Sequence, residues 1–208
     1  MKERIIFIDG AMGTQIQKYK LQEEDFRGER YANHGSELKG NNDVLVVTRP
    51  DVIEAINTAY LEAGADIIET NTFNGTTISQ GDYDLDSLEE VQLINKCAAE
   101  LAKRCTAKYM EAHPGSRKFV AGAIGPTNKT LSVSPSVENP ALRNITFDEV
   151  EQAYYEQAAA LYSGGVDLFL VETIFDTGNA RAALHALERF FADAVSYTHL
   201  RAHETRED

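Results

Sequence analysis

Four short apolar runs alternate with longer segments of helical periodicity, and this alternation limits the possible folds of the 208-residue chain more than any other feature. Each run has the length and the bounding residues of a buried strand, and together they cover residues 4–9, 66–70, 118–123 and 167–172. The chain also contains a weak internal repeat: the segments AGADIIETNTF and GGVDLFLVETIF share an aspartate, then an apolar run, then Glu-Thr. Strands that alternate with helices favour a parallel sheet with helical crossovers.

The segments between the runs carry signals for the start and the end of helices. Pro50 and Gly64 bracket one amphipathic stretch, and Thr146 and Glu149 have capping-box spacing at the start of another. Residues 88–110 predict a longer helix, and DTGNARAALHALERFF after the last run predicts a fourth. The sequence therefore predicts four helices, one after each of the four predicted strands.

Polar groups follow each predicted strand and decide between two architectures, an open doubly wound sheet and a (βα)8 barrel. They are Asp9, Glu69-Thr70-Asn71, the segment 125–128 and Glu172-Thr173. Polar residues after every strand favour the barrel, where all the loops converge on one mouth. A barrel needs eight strands and about 250 residues, whereas four strands are counted. We therefore predict an α/β fold: the first half of a (βα)8 TIM-type barrel, with about four parallel strands and crossover helices.

Charge and composition exclude several classes of partner. The chain has 33 acidic and 20 basic residues, a net charge of -13 that repels nucleic acid and anionic membranes. No run is long and apolar enough to span a membrane, and the first residues do not resemble a signal peptide. We expect a cytoplasmic protein with no nucleic-acid and no membrane partner.

Two sets of residues have side chains that can form a disulfide or bind a metal, but their arrangement supports neither kind of site. Cys97 and Cys105 lie two turns apart in a predicted helix, which suits neither a disulfide nor a shared metal and indicates two free thiols. His199 and His203 have the spacing of two zinc ligands beside Glu204, but the order differs from that of metalloprotease helices and no third ligand follows. We predict no metal site from the spacing of these residues.

The segment FIDGAMGTQI places a carboxylate and two glycines directly after the first strand. Gly10 and Gly13 match neither the dinucleotide fingerprint nor the P-loop, so the backbone N–H groups of this turn favour a small anion such as a carboxylate over a phosphate. Asp9 and Glu172 would face each other across the mouth. The pair could act as general acid and base, bind a divalent metal or hold a substrate ammonium group, or it could merely cap backbone N–H groups.

Six segments carry a resemblance to a known family. They are DGAMGTQIQ, DFRGERYANHGSELKGNND, AGADIIETNTFNGTT, VAGAIGPTNKT, NPALRNITFDEV and VETIFDTGNARAAL, and they occur in the family's order. The chain, from about residue 5 to 191, resembles the N-terminal homocysteine-binding domain of cobalamin-dependent methionine synthases, within the homocysteine S-methyltransferases. Betaine-dependent relatives share the Asp-Gly turn and the strand-end Glu but not the FRGER…KGNND and GPTNKT…RNITFDEV segments.

The resemblance implies an enzyme that methylates homocysteine to methionine. The methyl group would come from methylcobalamin, carried by a later domain and recharged from methyltetrahydrofolate. The turn would hold the carboxylate of homocysteine, and the acids would hold its ammonium group. The substrate-binding residues implied in this way are Asp9, Gly10, Ala11, Met12, Gly13, Thr14, Glu69, Asn71 and Glu172. The alternatives are a betaine- or S-methylmethionine-dependent homocysteine methyltransferase and a non-catalytic module that binds an amino acid.

The resemblance also implies zinc and cobalamin as cofactors. The family's three zinc cysteines lie in the second half of the barrel and match neither Cys97 nor Cys105, so this chain is expected to hold no catalytic residue, no metal ligand and no activity alone. Residues 1–191 would form the partial barrel, and 192–208 a tail unlike the family, disordered or a sequence artefact. The expected partners are homocysteine, the missing half of the barrel, and the folate, cobalamin and reactivation domains of the full-length protein.

Overall fold

The computed structural model describes residues 4–134, 136 and 138–195 of the chain. Three strands and eight α-helices are assigned within these residues: α1 (Met12–Gln17), α2 (Glu23–Arg27), α3 (Leu45–Thr48), α4 (Pro50–Glu62), β1 (Ile67–Glu69), α5 (Thr77–Gln80), α6 (Leu88–Ala112), β2 (Phe119–Ile124), α7 (Phe147–Ser163), β3 (Leu168–Val171) and α8 (Thr177–Phe190). Short 3₁₀ turns cover Asn42–Val44 and Gly81–Tyr83, and a π-helical turn covers Phe191–Val195. None of the helices in the described residues is long and apolar enough to cross a membrane.

The strands form a parallel sheet in the order β1-β2-β3. Ile67 lies opposite Phe119, and Ala121 lies opposite Leu168. Because the crossover helices carry the chain back to the amino-terminal end of the sheet before the next strand begins, the carboxyl ends of all three strands lie together at the opposite edge. The parallel α/β architecture is thus confirmed.

The first predicted strand, residues 4–9, does not form a regular strand. It makes one parallel bridge, between Ile8 and Ile67, and the amide of Asp9 donates to the carbonyl of Ile67 at 3.0 Å. The segment runs beside β1, but no described residue pairs with its outer edge, and Ile5 and Phe7 stay exposed. One-sided pairing explains why the described residues contain three strands rather than the predicted four.

The four predicted helices are confirmed as α4, α6, α7 and α8, and their caps form as the sequence indicates. Pro50 occupies the first turn of α4, while the side chain of Thr146 accepts from the amide of Glu149, which accepts in return from the Thr146 amide. Gly165, just after α7, has a φ of +91°, a conformation that favours glycine. These local signals fix where the crossover helices begin and end.

Two apolar clusters form the core, and side chains of α7 connect one of them to the strand ends. Leu38, Ile53, Ile68 and Leu101 belong to the first cluster, and Tyr154 belongs to the second.

The hydroxyl of Tyr154 donates to the carbonyl of Gly125, and the amide of Gln157 donates to the carbonyls of Thr72 and Ala123. Buried donors on one helix therefore hold the segments that follow β1 and β2 in place.

Candidate functional site

A cavity of about 360 Å³ lies at the carboxyl ends of the strands. Its walls include eight of the nine substrate-binding residues expected from the sequence: Asp9, Gly10, Ala11, Met12, Gly13, Glu69, Asn71 and Glu172. The ninth, Thr14, is exposed and does not line this cavity. Asn42 and Asp43 also border the cavity, and sequence reasoning did not single them out.

The glycine segment after Asp9 starts a helix rather than forming a turn over all four residues. Helix α1 begins at Met12, so Gly13 lies in its first turn, and neither Gly10 nor Gly13 has a positive φ. A Cβ on Gly13 would lie 3.7 Å from the side-chain nitrogen of Asn42, which is ordinary contact. Among the described residues, the backbone N–H groups of Gly10 to Gly13 donate no hydrogen bond. The segment therefore presents free donors at the cavity wall.

Asp9 supplies the first carboxylate of the cavity. Its Oδ2 accepts from the amide of Glu69 at 3.0 Å, whereas its Oδ1 is buried without a hydrogen-bond partner in the described part of the chain. Burial raises the pKa of Asp9 to about 6, and the charge of Glu172 adds to this effect. An unpartnered buried carboxylate oxygen is costly unless a ligand satisfies it.

Glu69 and Glu172 add two carboxyl groups from the ends of β1 and β3. Burial is the main cause that raises the pKa of Glu69 to about 8, followed by the charges of Glu172 and Asp9 and a hydrogen bond with the Glu172 side chain. The amide of Glu172 donates to the carbonyl of Ile124 at 3.0 Å, which fixes that residue beside β2. Since three carboxyls share one space, they retain a proton near neutral pH that an entering cation can replace.

Asn42 and Asp43 reach the cavity from the 3₁₀ turn before α3. The carbonyl of Asn42 accepts from the side chain of Asn71 at 2.7 Å, and Asp43 accepts from the amide of Asn74 at 2.7 Å. Burial raises the pKa of Asp43 to about 7. The polar run Gly-Asn-Asn-Asp directly before the apolar Val-Leu-Val-Val was the signal in the sequence that could have revealed them.

The described residues offer no metal centre. No group of three His, Cys, Asp or Glu side chains within them could hold a metal ion. Cys97 is half-buried and Cys105 is buried, both as free thiols on α6, and burial raises the pKa of Cys105 to about 11. Both thiols are therefore neutral at pH 7 and lie outside the cavity walls. His199, His203 and Glu204 fall outside the described residues.

Comparison with solved structures gives a fold similar to that of a homocysteine methyltransferase from Escherichia coli. The oxidized form of that protein, MmuM, superposes with a TM-score of 0.67 at 19% identity, covering 93% of this chain and 60% of that chain. Its metallated form gives 0.68 at 20% identity, covering 92% and 60%. The chain thus spans about 60% of the length of these structures.

A sequence model of the homocysteine S-methyltransferases matches residues 6–206. The match extends over most of residues 192–208, which were expected to be unlike the family; residues 196–208 lie outside the described part of the chain, so the boundary at 191 stays a prediction. Because the match covers nearly the whole sequence, the chain belongs to the homocysteine S-methyltransferase family.

Proposed function

We propose that the cavity binds the amino-acid end of homocysteine and that the chain is the homocysteine-binding part of a methyltransferase. The observation that carries this proposal is the convergence of Asp9, Glu69 and Glu172 on one cavity, next to the free N–H groups at the start of α1. An α-amino acid presents an ammonium and a carboxylate on one carbon. A cluster of acids beside unused backbone donors is complementary to both groups.

The three acids bind the ammonium group. They hold a proton near neutral pH because burial and mutual repulsion raise the pKa values of Asp9 and Glu69. An ammonium group between them relieves this repulsion, lowers both pKa values and gives the unpartnered Oδ1 of Asp9 a donor. Binding of homocysteine therefore releases protons near pH 7, because Glu69 loses the proton it retained.

The start of α1 binds the carboxylate. Gly10 and Gly13 carry no side chain, so an anion can approach the backbone N–H groups from Gly10 to Gly13. Asn71 holds the carbonyl of Asn42 at 2.7 Å and thereby fixes the loop that faces α1. Within this arrangement Thr14, which is exposed, has no role that the cavity supports.

We propose that the methyl donor is methylcobalamin, charged from methyltetrahydrofolate, as in the cobalamin-dependent methionine synthases that the sequence resembles. The FRGER…KGNND and GPTNKT…RNITFDEV segments support this donor over betaine or S-methylmethionine. The described residues do not fit a zinc ion, because they contain no cluster of three suitable ligands. Their part in the reaction is accordingly to bind and orient the amino acid.

A second candidate, a module that binds an amino acid without chemistry, is supported by the same three acids. The two candidate functions differ in whether the site distinguishes the thiol of homocysteine from the thioether of methionine. The methyltransferase role predicts that added zinc increases the preference for homocysteine over methionine once the ligands of the full-length protein are present. The binding module predicts equal affinities for the two amino acids with and without zinc.

Isothermal titration calorimetry of the 208-residue chain tests the proposed site. We expect homocysteine to bind and 4-mercaptobutanoic acid, which lacks only the ammonium group, to bind at least about tenfold more weakly. Glu172→Gln should weaken the binding of homocysteine, whereas Glu62→Gln, an exposed change at the end of α4, should not. Equal affinity for both compounds would reject the role of the acids.

A further inference from the structure

Asp43 is the most buried acid of the cavity, and its hydrogen bonds are incomplete. Only 1% of its surface is exposed, although it borders the same cavity as Asp9, Glu69 and Glu172. Its Oδ2 accepts from the amide of Asn74 at 2.7 Å. No hydrogen bond reaches Oδ1, and no lysine, arginine or histidine pairs with this carboxyl among the described residues. One carboxyl oxygen is thus available to a ligand.

The loop around Asp43 is held next to the start of α1. The side chain of Asn41 accepts from the amide of Val44 and donates to Gln80 at 2.7 Å, and the Asn42 carbonyl is held by Asn71. The side-chain nitrogen of Asn42 lies 3.7 Å from the position of a Cβ on Gly13. The loop that carries Asp43 therefore lies close to the start of α1, and Asp43 borders the same cavity as the free N–H groups.

Burial, rather than a neighbouring charge, disfavours the ionised form of Asp43, and the described groups that share its cavity include no cation. Across the cavity stand Asp9, Glu69 and Glu172, and from the 3₁₀ turn Gly81–Tyr83 comes Tyr83, whose pKa is raised partly by the charge of Asp43. Burial in this environment without a cation raises the pKa of Asp43 to about 7. A protonated carboxyl whose Oδ2 accepts from Asn74 has an O–H on its other oxygen that needs an acceptor.

We propose that protonated Asp43 donates a hydrogen bond to the carboxylate of the amino acid whose ammonium group the three acids hold. This inference rests on the proposed function and adds a residue that selects the ligand. An ionised Asp43 repels the ligand carboxylate, so binding requires the proton. As pH rises, the three acids ionise and bind the ammonium group more tightly, whereas Asp43 loses the proton that it donates to the carboxylate. These two opposite effects limit tight binding to a window around neutral pH.

The test compares Asp43→Asn with the unmodified chain by calorimetry at pH 6, 7 and 8. Asparagine keeps an acceptor for the Asn74 amide and a donor toward the ligand, but it cannot ionise. We expect equal affinities for homocysteine at pH 6 and about tenfold tighter binding by Asp43→Asn at pH 8, one unit above the pKa of about 7. For 3-mercaptopropan-1-amine, which lacks the carboxylate, the two proteins should bind alike at every pH.

Other outcomes would overturn the proposal. Weaker binding by Asp43→Asn, most of all at pH 8, would mean that ionised Asp43 holds the ammonium group instead. Measurable binding with the same affinity in both proteins at every pH would exclude Asp43 while leaving the proposed function intact. No binding of homocysteine by either protein would reject the proposed function itself.

A second measurement covers the case in which Asp43→Asn does not fold. The unmodified chain, labelled with ¹³C at its aspartate carboxyls, is examined by infrared difference spectroscopy at pH 8 before and after homocysteine is added. Asp9 is ionised at that pH, so we expect the carboxylic-acid band of aspartate to gain intensity as Asp43 takes up a proton. Loss of that band, or no change, would contradict the proposal.

Discussion

At the scale of single residues, the acids of the cavity cost stability in the absence of a ligand. The pKa of Glu69 is about 8 in the folded chain and about 4.3 in an unfolded one. Between these values the folded state binds more protons, so its stability falls as pH rises from about 4 to about 8. The opposite trend holds for acids with lowered pKa values, such as Asp66 beside Arg4.

Glu69→Gln should therefore stabilise the chain at pH 8 and not at pH 4. Because the cavity is open to water, we expect a gain of only about 1 kcal/mol in the free energy of unfolding at pH 8. Urea unfolding at both pH values measures it, with Glu62→Gln as the matched control. The same variant should bind homocysteine more weakly. A loss of stability at pH 8 would contradict the account of Glu69.

At the scale of secondary-structure elements, the loops after β1 and β2 approach each other closely at Phe73, which lines the cavity. A Cβ on Gly125 would lie 2.3 Å from the carbonyl oxygen of Phe73, far inside contact distance. Gly125→Ala must therefore move one loop, and we expect a loss of about 2 kcal/mol or more in stability together with weaker binding of homocysteine.

Gly35→Ala is the control for this substitution, because a Cβ at that glycine has no atom within 4 Å and its φ is not positive. Thermal unfolding and calorimetry of the two variants give the comparison. If Gly125→Ala is as stable as Gly35→Ala and binds equally well, the close approach of the loops does not shape the cavity.

The sequence predicts the crossover elements well because their signals are local. Capping residues such as Thr146 and stop residues such as Gly64 act within one turn of the helix, and they keep their meaning whatever packs nearby. The convergence of Asp9, Glu69 and Glu172 also follows from the sequence, because parallel strands bring their carboxyl ends to one edge.

Other features depend on contacts that the sequence does not display. Asp43 reaches the cavity from a short 3₁₀ turn with no periodicity, and only folding places it at the cavity wall. Residues 4–9 have the composition of a strand. A regular strand also needs neighbouring strands to pair with, and among the described residues only β1 lies beside this segment, on one side. The sequence places Gly13 in a turn, because glycine is common where a strand ends, but in the structure Gly13 lies in the first turn of α1.

At the scale of the whole molecule, apolar side chains lie exposed near the outer edges of the parallel array. Ile5 is 73% exposed and Phe7 58% exposed beside β1, and Phe175 is 73% exposed after β3. Open edges and exposed apolar surface favour association. We expect the 208-residue chain to elute from size-exclusion chromatography as a dimer or a larger species, or to be poorly soluble. A monodisperse monomer with one cooperative unfolding transition would contradict this expectation.

The 208-residue chain should also transfer no methyl group by itself. Its described residues contain no cluster able to hold a metal ion, so nothing there keeps a bound thiol in its reactive thiolate form, given a free thiol pKa of about 8.5. Incubation with homocysteine, zinc and methylcobalamin should give no methionine above the control without protein. Zinc-dependent formation of methionine would refute the prediction.

The most direct test of the ammonium site is a carbon-detected NMR titration of the chain labelled at its glutamate side-chain carboxyls. Without a ligand, the carboxyl of Glu69 should titrate near pH 8. With saturating homocysteine, its pKa should fall by at least about one unit, because an ammonium group replaces the retained proton. 4-Mercaptobutanoic acid, which has a carboxylate but no ammonium group, should not lower it. A pKa of Glu69 that stays the same or rises when homocysteine binds would contradict the central claim.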